Sequence, residues 1–200
     1  KMLKLIRGFE PLLCCSVVLA LGAKFPMCEN PNGFAPRNDT GSPSEDTGGE
    51  PAEPDWENFS RHCGGEPPAD FDRLVYEAGK AWGVNPRLIA LTVYRESRCM
   101  AGAFGASGEI GLGQINPGVW ESHMIEVGLI KSKEDLWDPR KNLEATAYVL
   151  GEAYRYADGD VQDAVRRYNG SGPRARKYAR EQVQRYREIW SEDPWLRDGC

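Results

Sequence analysis

The sequence predicts an all-α domain of five or six helices, on three observations. Apolar residues recur at intervals of three and four in successive segments between Phe71 and Trp190, as one face of a helix requires. Those segments open on Asn, Asp or Pro and several close on Gly, the chemistry of helix caps and stops. No stretch alternates apolar and polar residues as a half-buried strand would.

Taken in order, the chain opens with Lys1, Lys4 and Arg7 ahead of an uncharged, mostly apolar run from Pro11 to Ala23. That run is too short to span a bilayer and has the length of a secretory hydrophobic region, with cleavage expected after Gly22 or Ala23. Residues 1–23 are therefore expected to be a signal peptide, touching the membrane only in transit. Glu10 fits that pattern poorly, and a buried amphipathic helix is the alternative. Residues 24–69 are rich in Pro, Gly, Ser, Asp and Glu and lack apolar periodicity. They are expected to form a disordered acidic linker, because such a composition buries too little surface to offset its ordering entropy. Trp56 and Phe59 are its candidates for local docking. The folded domain is expected over 70–192, with a short tail over 193–200.

The first helix is expected to start near Asp70, with Phe71, Leu74, Val75, Ala78 and Trp82 inward and Gly83 as its stop. Asn85 then caps a second helix that has Pro86 in its first position and runs to about Arg98. Ile89, Val93 and Glu96 share one face of it. A short helix is expected from Pro117 to Val127. A longer one runs from Pro139 to Tyr156, with Leu143, Ala147, Leu150 and Tyr154 inward. Asp160 caps the next, which Asn169-Gly170 ends. The last starts near Pro173 and turns Tyr178, Val183, Tyr186 and Trp190 inward. Its basic residues, Arg174, Arg176, Lys177, Arg180, Arg185 and Arg187, are spread around the helix and interleaved with Glu181 and Glu188, which reads as a solvated face.

Charge and cysteine content exclude several function classes. The formal net charge is −5, divided as +2 over 1–23, −7 over 24–70 and zero over 71–200. A neutral helical portion lacks the basic excess that phosphate backbones require, so nucleic acid is not an expected partner. Gly111-Leu112-Gly113 has neither a preceding strand nor a Lys-Ser/Thr pair and is no phosphate loop. There is no CxxC, and His62 and His123 lie far apart, so neither a metal nor a cofactor is expected. Signal cleavage would leave Cys28, Cys63, Cys99 and Cys200, which allow three pairings that sequence does not choose between. The working hypothesis is Cys63 with Cys99, tying the chain ahead of the first helix to the loop behind Glu96.

The chemistry concentrates between Leu88 and Pro117. Glu96 ends an apolar stripe near the C-terminus of its helix, where desolvation and the helix dipole both push a carboxyl pKa upward. An acid kept protonated near neutral pH suits general-acid work. A loop with Gly102, Gly105, Gly108, Gly111 and Gly113 follows at once, and glycines let a backbone approach a ligand closely. An acid beside a polar, glycine-lined surface suits a polysaccharide better than a small anion.

Glu96-Ser97, the run from Gly111 to Ile115 and Tyr168-Asn169-Gly170 together resemble, in order and spacing, the transglycosylase SLT domain, the lysozyme-like catalytic module of bacterial lytic transglycosylases. The likeness spans about Phe71 to Trp190. The small size and signal-like start look most like the accessory enzymes of secretion and conjugation machines. The resemblance implies a lysozyme-like helical domain with a substrate groove. Its implied activity is cleavage of the MurNAc–GlcNAc bond of peptidoglycan, leaving 1,6-anhydroMurNAc ends, by an exported protein that is periplasmic or extracellular. It also implies Glu96 as the single catalytic acid, Tyr168 as the tyrosine whose hydroxyl reaches that carboxyl, and Gln114 and Asn169 as sugar contacts. Gly111 belongs to the same substrate-binding strip, and Ser97 has a supporting role.

This chain departs from the family pattern in four places. Gly113 stands where Met is usual, predicting a roomier or floppier floor. Gly105 stands where many relatives have a Ser that touches the N-acetyl group. Met100-Ala101 replaces Asn-Pro, and Thr146 occupies a position where Gly is common. Two alternatives stay open: a muramidase that adds water on the same fold, and a non-catalytic glycan-binding subunit of an envelope machine.

Overall fold

The computed structural model describes residues 57–193. The expected signal peptide, most of the linker, Cys28, Cys200 and the tail beyond Asp193 lie outside the described residues. Six α-helices follow in order: α1 (Phe71–Trp82), α2 (Pro86–Ser97), α3 (Pro117–Glu126), α4 (Pro139–Tyr156), α5 (Val161–Asn169) and α6 (Gly172–Ile189). Two 3-10 segments accompany them, Ser60–His62 ahead of α1 and Lys133–Trp137 between α3 and α4, and neither was anticipated from the sequence. The expected helices are all present. Local chemistry sets their ends: side chains of Asn85, Asn116, Asp138 and Asp160 accept N–H groups of α2, α3, α4 and α5, and Gly83 closes α1 in the left-handed region at φ 64°. Each such N-cap contributes about 1 kcal/mol.

α2 is the central helix. Every residue from Leu88 to Val93 is buried, including Thr92, whose hydroxyl back-bonds to the Leu88 carbonyl. A helix apolar on all sides must be enclosed by other elements, and α1, α4 and α6 all pack on it. α4 in turn contacts α1 and α5, and α5 contacts α6. Two main hydrophobic cores result, beside a small third cluster of Ala153, Ala157 and Ala164. The larger joins α1, α2 and α6 with Leu112, Leu143, Ala147 and Leu150. The smaller gathers Ile110, Ile115, Met124, Leu129, Ile130, Leu136 and the outer face of α4. Tyr168 and Trp82 pack against both and mark the seam.

The domain begins earlier than expected, because residues 57–69 are docked against the helices. Phe59 is only 3% exposed and belongs to the larger core. The Ser60 N–H and hydroxyl donate to the Asp72 carboxylate. Glu57 accepts from Arg87 Nε at 2.7 Å and from the Trp190 indole N–H. Asp193 completes the clasp, receiving Arg87 at 2.7 Å and the Tyr186 hydroxyl. Composition reported the low apolar content of this segment correctly. The docking expected of Phe59 and the Cys63–Cys99 pairing both occur, and with the ion pairs and hydrogen bonds of Glu57 and Ser60 they hold the segment on a surface formed elsewhere.

Cys63 and Cys99 form a disulfide across a sequence separation of 36. Closing a loop of that size removes unfolded-state entropy equivalent to about 4 kcal/mol in the chain-entropy view. The basic residues of α6 are exposed, as its interleaved acids predicted. Among the described residues, no helix is long and apolar enough to cross a membrane, and no group of three or more His, Cys, Asp or Glu side chains could hold a metal ion.

Candidate active site

Glu96 projects from the last turn of α2, with Ile89 and Val93 of the same face fully buried beneath it. Its Oε1 accepts a 2.6 Å hydrogen bond from the Tyr178 hydroxyl of α6. Burial is the main cause of a raised Glu96 pKa, and the negative charge of Glu109 adds to it, while the Tyr178 hydrogen bond and the nearby Arg95 guanidinium pull it back. The acid therefore stays protonated to higher pH than an ordinary carboxyl. Burial, followed by the Glu96 charge, drives the Tyr178 phenol well above its usual value, so it remains a donor. Arg95 lies 5.7 Å from the centroid of the Tyr178 ring and pairs with Glu181 at 3.0 Å, joining α2 to α6 on the solvent side.

The tyrosine that reaches the carboxyl is thus Tyr178, and the expectation for Tyr168 is corrected. Tyr168, near the end of α5, donates at 2.6 Å to the Gly113 carbonyl instead. The physical reason is its place on the seam, where the Gly113 carbonyl of the glycine loop lies within hydrogen-bond reach of the phenol. The two groups are still close enough that the Glu96 charge, after burial, helps raise the Tyr168 pKa well above normal. Tyr178 was legible only as an inward-facing residue of the last helix. The missed signal was that a buried phenol needs a partner for its hydroxyl.

The glycine loop is held by one buried side chain that sequence reasoning passed over. Asn142, in the first turn of α4, accepts the Gly113 N–H at 2.8 Å and donates to the carbonyls of Ile110 at 2.9 Å and Leu136 at 2.7 Å. Antiparallel bridges between Phe104 and Ile110 and between Ile110 and Ile115 fold the loop back on itself. Gly111 sits at φ 74°, and a Cβ there would lie 2.3 Å from Asn142 Nδ2. Its glycine character serves loop construction.

The departures at Gly113 and Thr146 form one matched pair. A Cβ on Gly113 would lie 2.0 Å from Thr146 Oγ1 and 2.9 Å from the Tyr168 hydroxyl. The space a larger residue would fill is already taken by Thr146, whose hydroxyl donates to the Asn142 carbonyl at 2.8 Å. The floor is filled at this point and pinned at both its N–H and its carbonyl, correcting the expectation of a loose one. Gly105 has a similar relation to Glu109: a Cβ there would lie 2.2 Å from Glu109 Oε2 and 2.8 Å from Gln114 Oε1. The Glu109 carboxylate occupies that place and accepts the Ser107 N–H at 2.9 Å.

The remaining anticipated residues divide. Gln114 adopts a left-handed backbone at φ 51° and spends its amide N–H on the carbonyls of Ala103 and Gly111, bracing the loop while its Oε1 faces Gly105. Ser97 is buried with its hydroxyl bonded to the Val93 carbonyl inside α2. Asn169 is exposed at the end of α5, one residue from Tyr168.

A helical module with one desolvated, phenol-bonded carboxyl set against a glycine loop defines the class by its fold, that of lysozyme-like helical domains. The transglycosylase SLT domain matches residues 73–190, more than half of the chain, and the chain belongs to that family. Among solved structures, the lytic transglycosylase Slt of Pseudomonas aeruginosa, seen as an inactive glutamate-to-glutamine mutant, matches with a TM-score of 0.53 at 18% identity. The match covers 60% of this chain but 24% of that one, so the likeness is one of fold. Among curated proteins there is no sequence match.

Proposed function

We propose that this chain is a peptidoglycan lytic transglycosylase that cleaves the MurNAc–GlcNAc bond and leaves 1,6-anhydroMurNAc ends. Protonated Glu96 gives its proton to the glycosidic oxygen as the bond from that oxygen to C1 of MurNAc breaks. The N-acetyl carbonyl of the same sugar supports C1. The Glu96 carboxylate then takes the proton of the C6 hydroxyl while O6 bonds to C1, which restores the acid and consumes no water. The observation that carries this reading is the desolvated Glu96 carboxyl held by Tyr178. Burial keeps the proton on, and the phenol stabilises the carboxylate once the proton has gone. Tyr168 and Gln114 maintain the floor beneath the substrate, with Asn169 at its edge. The substrate places the enzyme outside the cytoplasm, in the periplasm or beyond the cell, with peptidoglycan glycan strands as partner and service to a secretion or conjugation machine as its setting.

A muramidase reading draws on Glu109, the second acid whose charge reaches Glu96, since two carboxylates are the usual equipment for adding water. Mass spectrometry of muropeptides released from purified walls separates the two readings: anhydro ends carry the proposal and reducing ends overturn it. Glu96→Gln should lower release by about 10²–10⁴-fold, the usual contribution of a general acid. Unchanged release would remove Glu96 from its role. The same variant has a second readout. A carboxyl whose folded pKa is raised binds its proton more tightly in the folded state, so its contribution to stability declines as pH rises through that pKa. Glu96→Gln should therefore raise Tm at neutral pH, with the gain vanishing at low pH, where Glu96 is protonated in both folded and unfolded chains.

A further inference from the structure

Away from the acid, the same loop carries an aromatic pair. Phe104 is 67% exposed and Trp137 44% exposed, and their rings stack with centroids 6.0 Å apart and planes 26° apart. The two come from distant parts of the chain, the glycine loop and the end of the second 3-10 segment, so their apposition is a product of the fold. Both are mounted on the lattice that shapes the candidate active site. Trp137 follows Leu136, whose carbonyl is bonded by Asn142. Phe104 bridges to Ile110, whose carbonyl is bonded by the same Asn142, and lies between Ala103, which holds Gln114, and Gly105, which faces Glu109. On the same loop, a Cβ on Gly102 or Gly108 would meet nothing within 4 Å.

Large exposed aromatic surface mounted on a rigid support marks a binding site more often than chance exposure. The surroundings indicate the ligand. The loop from Cys99 to Gly118 contains no Lys or Arg and a single acid, Glu109, and the basic residues flanking Trp137 (Lys131, Lys133, Arg140 and Lys141) are interleaved with Glu134, Asp135 and Asp138, so an anionic ligand meets no clear basic excess. A sugar ring has an apolar C–H face that covers an aromatic ring and a rim of hydroxyls that backbone groups can bond, and glycines bring such groups within reach. We propose that Phe104 and Trp137 form a sugar-stacking platform that binds a pyranose ring of a glycan strand continuous with the strand lying over Glu96. This rests on the glycan-cleaving reading for the identity of the strand, though not on turnover.

The test uses the full chain carrying Glu96→Gln, so that the strand stays intact, with purified peptidoglycan sacculi and a soluble β-1,4-linked N-acetylglucosamine hexamer as probes. Replacing both rings, Phe104→Ala with Trp137→Ala, should weaken binding of each probe by about tenfold, the scale of one to two aromatic contacts. Trp137→Phe, which keeps a flat ring, should lose about threefold or less. Val119→Ala with Ile125→Ala, which trims exposed apolar surface on α3, should change nothing. The proposal falls if the double ring variant binds as tightly as its parent, if the α3 variant weakens equally, or if the parent binds neither probe. Failure here is distinguishable from failure of the chemistry. Wall digestion giving anhydro ends, together with unaltered binding by the ring variant, overturns the platform alone. Ring-dependent binding by a protein that cuts nothing leaves the platform and overturns the enzyme.

Discussion

The two sides of the site are held by different means. On the α2–α6 side the functional group is a side chain, Glu96, and its support is mainly apolar burial: fully buried Ile89 and Val93 below, with a single hydrogen bond from the Tyr178 phenol above and one exposed Arg95–Glu181 pair. On the loop side the functional surface is largely backbone, and its support is polar: the Asn142 carboxamide, the Tyr168 hydroxyl and the Gln114 amide, each bonded to main-chain groups of the loop. The difference teaches that an acid is tuned by removing water from it, whereas a loop is fixed by giving each of its peptide groups a partner. The first tolerates changes of shape that keep the surface apolar. The second depends on individual hydrogen bonds that no generic hydrophobe can replace.

The sharpest way to break this contrast is Asn142→Leu. It keeps the volume roughly constant, yet strands the Gly113 N–H and the Leu136 carbonyl in a buried setting, while the Ile110 carbonyl keeps the Ile115 N–H. Each orphaned group costs about 1–3 kcal/mol, so denaturant unfolding should show a loss of about 2–6 kcal/mol for the two. A loss under about 1 kcal/mol would mean the loop does not rely on Asn142. Next in size is Gly113→Ala, which drives a methyl into Thr146 and should cost about 1–3 kcal/mol as overpacking. Thr146→Gly in the same chain should restore part of that loss, giving a coupling of about 1 kcal/mol or more in a double-mutant cycle. Simple additivity would show that the two departures from the family pattern are unrelated.

The smallest expected effect discriminates between the tyrosines. Tyr178→Phe removes the hydrogen bond that lowers the Glu96 pKa, so the alkaline limb of the activity–pH profile should move to higher pH. Tyr168→Phe removes a bond to the Gly113 carbonyl and should lower activity while leaving that limb in place. A shift of the limb with Tyr168→Phe and none with Tyr178→Phe would reverse the assignment made from the geometry.

The order of the helices, most of their ends and the place of Glu96 on α2 were legible in the sequence, because caps, stops and apolar spacing are local properties of the chain. The family likeness carried by Glu96-Ser97, Gly111 to Ile115 and Tyr168-Asn169-Gly170 was legible for the same reason. Three matters depended on residues far apart in the chain. Which of two tyrosines meets the acid depends on how α6 packs on α2 and on how α5 is held against α4 and α6. Whether Gly113 leaves a gap depends on Thr146, more than thirty positions away and contributed by another helix. Whether the acidic stretch before α1 stays loose depends on a surface assembled from Asp72, Arg87, Cys99 and Trp190. In each case the deciding quantity is a distance between groups that only the folded packing brings together, and neither composition nor periodicity encodes a distance of that kind.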